Sequence, residues 1–409
     1  MNTWSLSWTG LRIVTGLELR QRIRSRRWLI ALAAWFIGIG GITTLVIGSV
    51  TSLMELSSPS FTGGPLAFGL IVLFVLGMGL VIAPTFSASS INGDRAAGVL
   101  ATLQATRLSA LEIAAGKLVA AWLTSAVFLV VALPFIIWTT ILASFSWWQV
   151  AVCFAVVLAL VAVVCAIGLG WSAMISRSAG ATALTYVSVV VLGIISPLVT
   201  ALGTPFVVDH ATVRIWGLPP QVQREYDRQL EEFWNQNPQS DGSDAPAPPI
   251  GRCAWFERTE EVARTERLWW ILVPNPFVIV ADAAPLPDGA SANLSRYVGQ
   301  SGDLLAGMRL GVRSLALGPE VERDECIQLY YGLNYDVDWN EDGTPRVTTS
   351  DGTVVPVASP VRARTISAAQ PLWPWGLGMN LLIGAAFLWV AVRRLAIPYG
   401  KLPRGVRVA

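Results

Sequence analysis

Long apolar runs alternate with short polar segments along this chain, and the alternation predicts a helical membrane protein. Six runs match the roughly 20 apolar residues that a helix needs to cross a bilayer, and none of them contains Asp, Glu, Lys, Arg or His. The mean hydropathy of +0.55 agrees with this class. We predict transmembrane helices over residues 29–50, 66–86, 118–143, 148–173, 181–202 and 374–392.

The positions of the basic residues predict the orientation. Fifteen Arg or Lys residues precede the first run, follow the last, or lie between the second and third or the fourth and fifth runs. The short loops 51–65 and 144–147 contain none. Because basic loops stay in the cytoplasm, we expect both termini to be cytoplasmic in a multi-pass protein of the cell membrane. The first run begins after 28 residues and lacks a cleavage site, which is typical of a retained signal anchor.

The section between the fifth and sixth runs, residues 203–373, is polar and acidic, with 14 Arg against 23 Asp and Glu. The predicted topology places it outside the membrane as an α+β domain. We expect helices over 219–234 and 255–267, a flexible linker over 235–250, and a hairpin of strands 346–349 and 353–357.

Two further segments extend this picture. Segment 268–285 has an apolar core interrupted by Pro274 and Pro276, which predicts a re-entrant element, with a buried helix of the external domain as the alternative. Near the N-terminus an apolar residue recurs at every third position, which predicts an interfacial helix rather than an ordinary basic tail. These apolar residues are Trp8, Leu11, Val14 and Leu17.

The predicted fold class is therefore an all-α polytopic membrane protein with six transmembrane helices and both termini cytoplasmic. An α+β extracytoplasmic domain is inserted between helices 5 and 6. The expected divisions are an interfacial helix in 1–27, transmembrane helices 1–5 in 28–202, the external domain in 203–373, transmembrane helix 6 in 374–392 and a basic cytoplasmic tail in 393–409.

The loop 87–117, between the second and third runs, has the most informative pattern. We predict a short helix over 92–105, with Asn92 as its N-cap and Asp94 in its first turn. Its apolar positions are spaced i, i+3, i+4, i+7, which places on one face Ala96, Val99, Leu100 and Leu103. Ser109 followed by Glu112 is a capping-box sequence that opens the next helix before Lys117.

Cysteine and acidic residues give weaker indications of chemistry. Cys153 and Cys165 lie in the fourth run and are expected to be packing residues. Cys253 and Cys326 lie in the external section, where a pair persists as a disulfide if the two residues approach, which spacing alone leaves open. The series Asp338, Asn340, Asp342 resembles half of a calcium loop, but Thr349 stands where a bidentate Glu belongs, so an acidic turn is the alternative.

Several function classes are disfavoured by what the sequence lacks. It has no phosphate-binding loop, because Gly116-Lys117 is followed by Leu118, and His210 is its one histidine. We therefore expect no enzyme activity and no cofactor from this chain itself. Apolar runs free of ionisable residues also argue against ion-coupled transport, which needs such groups at depth.

Together these features resemble the ABC-2-type permeases of ATP-binding-cassette exporters, in an actinobacterial-like form with an enlarged external domain. The resemblance rests on the interfacial helix, on six spans with both ends inside, and on a loop containing Asp94-Arg95, Gly98, Leu100, Thr106-Arg107-Leu108-Ser109 and Gly116-Lys117. In that family this loop holds a coupling helix that docks in a groove of a separate ATPase subunit. The residues in this role would be Asp94, Arg95, Gly98, Val99, Leu100 and Leu103, with the next helix starting at Ser109, Glu112 and Lys117.

The resemblance also implies a function and partners. A second, shorter contact with the ATPase would involve Ser176 and Arg177. The chain would then be a permease subunit that pairs with an identical or sibling half in the bilayer and exports a substrate at the expense of ATP hydrolysed by the partner, without nucleic acid. The alternative is a non-transporting anchor that displays the external domain as a binding or sensing module.

Overall fold

The computed structural model describes residues 4–396 except 24–25, 57–62, 99–107, 240–244, 247–248, 288, 291–293, 332–335, 340–343, 349–353, 356–359, 362–363, 365 and 367–369. Six helical stretches in the described chain are long and apolar enough to cross a membrane, as the hydropathy pattern predicts. They are Trp28–Ser49, Gly63–Ala96, Ala110–Val131, Trp147–Met174, Ser178–Val207 and Trp373–Leu395.

The part of the chain before the polar section is helical. In chain order its α-helices are α1 Trp8–Ile23, α2 Arg26–Leu56, α3 Gly63–Ser87, α4 Ser90–Ala96, α5 Ala110–Val131, α6 Leu133–Ala143, α7 Trp147–Met174, α8 Ser178–Val190 and α9 Ser196–Gly203. A π-helical turn, Val191–Ile195, joins α8 to α9, and a 3-10 turn, Thr204–Val207, follows α9.

The third predicted span has the wrong limits. A continuous helix is expected over 118–143, whereas α5 already begins at Ala110 and ends at Val131, and α6 follows with Pro134 in its first turn. Proline lacks a backbone N–H and disfavours helical conformation in the residue before it, so the helix is interrupted there. The earlier start follows from the capping box at Ser109 and Glu112, which the structure forms.

The bundle is centred on α7, which packs against α3, α5 and α8. The most apolar windows of α5 and α7 are 61% buried, whereas those of the first and fifth spans are only 17% buried and so lie at the periphery. The indole groups of buried Trp35 and half-buried Trp122 donate to backbone carbonyls of neighbouring helices. Trp35 Nε1 donates to Phe128 O at 2.8 Å, and Trp122 Nε1 donates to Leu158 O at 2.9 Å.

The polar section contains two small sheets and several short helices. Its elements are β1 Val208–Gly217, α10 Pro220–Gln236, β2 Ala254–Ala263, α11 Pro276–Ala283, α12 Leu294–Ser301, α13 Leu304–Leu317, β3 Glu322–Asp324, α14 Gln328–Tyr331, β4 Asp336–Trp339, β5 Pro345–Thr348 and β6 Val354–Val355. The last helix, α15 Trp373–Leu395, returns to the bundle and packs on α7. Three 3-10 turns complete the section: Ile250–Arg252, Thr265–Arg267 and Trp269–Ile271.

The first sheet has the order β2-β1-β3, with β1 antiparallel to β2 and parallel to β3. Its apolar face buries Val213, Ile215 and Val262. The predicted helix over 255–267 is wrong, because β2 occupies most of that range. Its Glu and Arg residues favour a helix locally, but ten cross-strand pairs with β1 hold this segment extended.

Two other predictions for the polar section are confirmed. The helix expected over 219–234 is α10. The expected hairpin is formed by β5 and β6, which pair antiparallel with Val347 opposite Val355. Part of the expected linker 235–250 lies outside the described residues.

Segment 268–285 contains the 3-10 turn Trp269–Ile271 and the short helix α11. Within the described residues this helix is too short to cross a membrane. Asn275 caps α11 and donates through Nδ2 to Gly193 O in the π-helical turn at 3.0 Å and to Ser196 Oγ at 2.9 Å. Asn380 of α15 donates to Pro274 O at 2.8 Å. The segment is therefore held between the fifth and sixth spans, and its re-entrant position in the membrane stays a prediction.

A disulfide joins Cys253 to Cys326, with Cα atoms 6.2 Å apart. Cys253 directly precedes β2, and Cys326 follows β3, so the bond connects the two outer strands of the first sheet. Cys153 and Cys165 are buried free cysteines within α7, as expected for packing residues.

Candidate functional site

A fully buried lysine joins three helices at the end of the bundle where α7 terminates. Lys117 of α5 donates through Nζ to Glu18 Oε1 of α1 at 2.5 Å, to Asp94 of α4, and to Ser90 O at 3.3 Å. The lysine side chain has no exposed area, whereas those of Glu18 and Asp94 are 17% and 25% exposed. We call Glu18, Asp94 and Lys117, with Arg22 beside them, the Lys117 network.

Arg22 extends this network to the end of α3. Its Nη2 donates to Phe86 O at 3.1 Å and lies 3.4 Å from Glu18 Oε2. Its guanidinium also lies over the Phe86 ring, 5.6 Å from the centroid. The Glu18 carboxylate thus contacts two cations, Arg22 and Lys117. Helices α1, α3, α4 and α5 meet at this point through contacts that each involve a charged side chain.

The capping box of α5 holds the segment before α1 as well. Ser109 N donates to Glu112 Oε2 and Glu112 N donates to Ser109 Oγ, at 2.8 and 3.0 Å. The second carboxylate oxygen of Glu112 accepts from Ser7 N at 2.8 Å, and Ser109 Oγ donates to Ser5 O at 2.5 Å. The residues expected to start a helix therefore also dock the N-terminal segment.

Two glycines allow α1 to lie directly on α5. A Cβ atom at Gly10 would lie 2.7 Å from Glu112 Cδ, and one at Gly116 would lie 2.6 Å from Val14 Cβ. The predicted apolar stripe of α1 is consequently divided, since Val14 is buried against α5 while Trp8 and Leu17 are exposed. The expectation that all four stripe residues face the membrane interface is thus wrong for Val14.

Asn92 anchors α4 to the end of α7 and is not the N-cap predicted for it. The helix starts at Ser90, and Asn92 is buried inside it. Its Oδ1 accepts from Ser172 Oγ at 3.2 Å, and its Nδ2 lies 3.5 Å from Ile175 O. Ser172 Oγ also accepts from Ile91 N at 3.0 Å. The Asn92 side chain is therefore bonded to α7 and does not cap the N-terminal N–H groups of α4.

The described part of the predicted coupling helix is shorter than expected. Helix α4 ends at Ala96, and Gly98 follows with a positive φ of 73°, a conformation that commonly ends helices. Asp94 faces Lys117, Arg95 is half-buried, and Gly98 is exposed. Val99, Leu100 and Leu103 lie outside the described residues.

The second predicted contact lies at the same end of the bundle. Ser176 and Arg177 are exposed in the turn between α7 and α8, directly after Ile175, which accepts from Asn92. The structure thus brings the end of α4 and the α7–α8 turn together. Of the calcium candidates, Asp338 lies in β4, while Asn340 and Asp342 lie outside the described residues.

Arg22 and Glu18 of this network are not among the site residues expected from the sequence. Of the two, Glu18 is the more recognisable. It is the only acidic residue before Glu55, in a segment otherwise rich in Arg. A single acid in such a segment indicates a specific partner, but the sequence does not identify Lys117, which lies 99 positions away.

A second buried charge cluster lies at the opposite end of α7, between the polar section and the sixth span. Asp282 of α11 accepts at Oδ1 from Arg313 Nη2 at 2.8 Å, and at Oδ2 from Leu372 N and Trp373 N at 2.6 and 2.9 Å. Arg309 donates through Nη2 to the carbonyls of Asp282 and Ala284, at 2.7 and 2.6 Å. We call this the Asp282 junction.

Comparison with known proteins adds no assignment: no protein-family model and no curated protein matches the chain.

Proposed function

We propose that the chain is the membrane subunit of an ATP-driven exporter, with the Lys117 network transmitting force from an ATPase subunit to the spans. The supporting observation is that one end of the bundle links α1, α3, α4, α5 and α7 through buried polar contacts. A polar loop that only connects two spans needs no such links. An arrangement of this kind is expected where an external force must move several helices together.

The proposed mechanism follows the contacts outward from α4. Motion of the ATPase against the loop after Gly98 would displace α4, because the two are adjacent in the chain. The Asp94–Lys117 pair would carry that displacement to α5, and the Asn92–Ser172 contact would carry it to α7. Tilting of these spans would open the pathway alternately to the two sides.

The peripheral spans support pairing with a second permease half. The first and fifth spans bury only 17% of their most apolar windows within the chain. Such faces contact lipid or another transmembrane subunit. We propose that a homodimer or heterodimer of this chain, with two ATPase subunits, forms the transporter in the cell membrane.

A substitution in the proposed docking helix tests the function. Leu103→Asp would place a charge in a dry contact with the ATPase, which is costly for burial without a partner. We expect the variant to insert normally but to lose co-purification with an ATPase subunit co-expressed from a neighbouring gene, where one is present, and to lose its stimulation of ATP hydrolysis in vesicles. Leu317→Asp is the matched control, because Leu317 is exposed on α13 in the polar section.

Unchanged co-purification and unchanged ATPase rate in Leu103→Asp would count against the exporter function. The favoured function would then be the alternative, a membrane anchor that displays a binding or sensing domain. The polar section fits such a domain because it has its own disulfide-linked sheet.

The orientation is tested separately with a reporter that is active only outside the cytoplasm. Fusion after Gly242 is expected to give activity, and fusions after Ser109 or Arg404 are expected to be silent, because basic loops remain inside. Activity after Arg404 would contradict six crossings and would make segment 268–285 a seventh.

A further inference from the structure

The Asp282 junction leaves one buried cation without a hydrogen-bonded carboxylate. Both oxygens of Asp282 are occupied by Arg313 and by the backbone N–H groups of Leu372 and Trp373. Arg309 Nε lies 3.6 Å from Asp282 Oδ1, too far for a hydrogen bond. The Arg309 side chain is 5% exposed, and its Nε has no hydrogen-bond partner.

Asp303, another buried carboxylate of this region, does not accept a hydrogen bond from Arg309 in the described structure. Asp303 accepts at Oδ1 from Leu305 N and Ala306 N, which it caps, and at Oδ2 from Tyr297 OH. Burial raises the pKa of Asp303 and lowers the pKa of Arg309, so both charges are poorly solvated. Arg309 therefore has buried donor capacity that the described side chains do not use.

Arg309 lines a cleft of about 440 Å³ at the start of the fourth and sixth spans. That volume is within the range of small-molecule pockets, which combine apolar walls with a few polar groups. The apolar wall includes Trp148, Val152, Leu286 and Trp373, while the polar groups are Gln149, Asp282 and Arg309. Trp148 and Trp373 belong to the first turns of α7 and α15. The cleft therefore lies where apolar spans meet the polar section.

We propose that this cleft binds an amphiphile with an anionic head, a carboxylate or a phosphate, whose head accepts from Arg309 and whose apolar tail lies along Trp148 and Val152. An anionic head supplies a hydrogen-bond acceptor for the Arg309 guanidinium, whose Nε has none among the described residues. The position at the ends of two spans admits a tail from the bilayer. The inference rests on α7 and α15 lying in the membrane and is independent of the proposed ATPase.

Binding is tested on the full chain purified in a neutral maltoside detergent. Radiolabelled laurate is bound to the immobilised protein and displaced by dodecyl phosphate, dodecanol or inorganic phosphate. We expect dodecanol, which has the same tail without a charge, to displace laurate at least about tenfold more weakly than dodecyl phosphate, since hydrogen bonds to charged groups are the strong ones. Displacement by inorganic phosphate alone would support the site and identify a free anion rather than a lipid head as its ligand.

Three variants assign the binding to Arg309 and the cleft. Arg309→Gln is expected to weaken laurate binding at least about tenfold, and Arg309→Lys to weaken it less because the charge is kept. Val152→Trp fills the cleft without changing the contacts of Arg309, so its loss of binding remains informative if Arg309→Gln does not fold. Arg214→Gln is the control, since Arg214 is an exposed ion-pair residue on β1.

The proposal is overturned by any of three results. These are no saturable laurate binding, equal displacement by dodecanol and dodecyl phosphate, or unchanged binding in both Arg309→Gln and Val152→Trp. None of these bears on co-purification of an ATPase, so this inference and the proposed function fail independently.

Discussion

Replacing Lys117 by Met is expected to detach α1 from the bundle and to destabilise the protein by about 3–5 kcal/mol, the range found when one partner of a buried ion pair is removed. The substitution leaves Glu18 and Asp94 facing each other without the cation that both contact. Like charges then repel in a partly buried site. Both helices are expected to move toward water.

Chemical labelling measures the detachment directly. Val14 is 3% exposed on the face of α1 that packs against α5, and the two free cysteines of the described chain are buried. A Val14→Cys substitution therefore provides a thiol that should react with maleimide slowly in the parent and much faster in the Lys117→Met background. Thermal unfolding in detergent gives the matching loss of stability.

The control is a variant in which Lys117 and both of its carboxylate partners are neutral. Lys117→Met combined with Glu18→Gln and Asp94→Asn removes the lysine together with both of its carboxylate partners, while Arg22 keeps its contact with Phe86 O. Replacing all the members of a buried ion pair together is often close to neutral. We expect this triple variant to recover most of the stability and slow labelling. Equally fast labelling in the triple and single variants would show that packing, rather than charge pairing, holds α1.

Under the proposed function, comparing Lys117→Met with the triple variant also separates a loss of stability from a loss of coupling between ATP hydrolysis and export. The triple variant should fold and still bind the ATPase through its docking loop. It lacks the Asp94–Lys117 link, however, and is expected to hydrolyse ATP with weakened substrate export. Full export by the triple variant would leave the Asn92–Ser172 contact as the main link between α4 and the spans.

The sequence predicts the spans well because crossing a bilayer imposes a simple requirement on every such helix. About 20 apolar residues without charge are visible whatever the tertiary contacts are. The break at Ala132 was also encoded locally, by Pro134, but the apolar run continues across it. Hydropathy therefore finds the run, whereas backbone hydrogen bonding sets the limits of the helix.

The first sheet is the opposite case, because its pairing depends on residues far apart in the chain. Strand β1 is not among the expected elements, and β2 lies in the range 255–267, where a helix is expected. Val208 pairs with Ala263 and Gly217 with Ala254, so neither segment has its partner within a local window. Strand propensity depends on such cross-strand neighbours, which a single sequence does not reveal.

The candidate site contains features set by the local sequence and features set by residues far apart in the chain. The capping box at Ser109 and Glu112 is a local pattern and forms as predicted. Asn92 was assigned a local role as a cap, but Ser172, 80 positions away, determines its actual contacts. From the local sequence Asn92 could cap α4 or contact another helix, and the packing of α4 on α7 determines which of the two occurs.

Replacing Asp282 by Ala is expected to have an effect as large as that of Lys117→Met, at the other end of α7. The change leaves Arg309 and Arg313 buried without their shared carboxylate, a loss of about 3–5 kcal/mol. It also removes the acceptor for Leu372 N and Trp373 N, where the sixth span begins. We expect earlier thermal unfolding, and faster proteolysis within α12 and α13 than in the parent.

Asp303→Asn is the matched control for this change, because Asp303 is a buried acid of the same region. Asn caps helices as well as Asp does, and burial already disfavours the charge of Asp303 by raising its pKa. Its stability should therefore change little or rise slightly. If Asp282→Ala and Asp303→Asn unfold alike, the carboxylate of Asp282 is not what holds α11, α13 and α15 together. If only Asp282→Ala is destabilised, the Asp282 carboxylate holds the polar section to the sixth span.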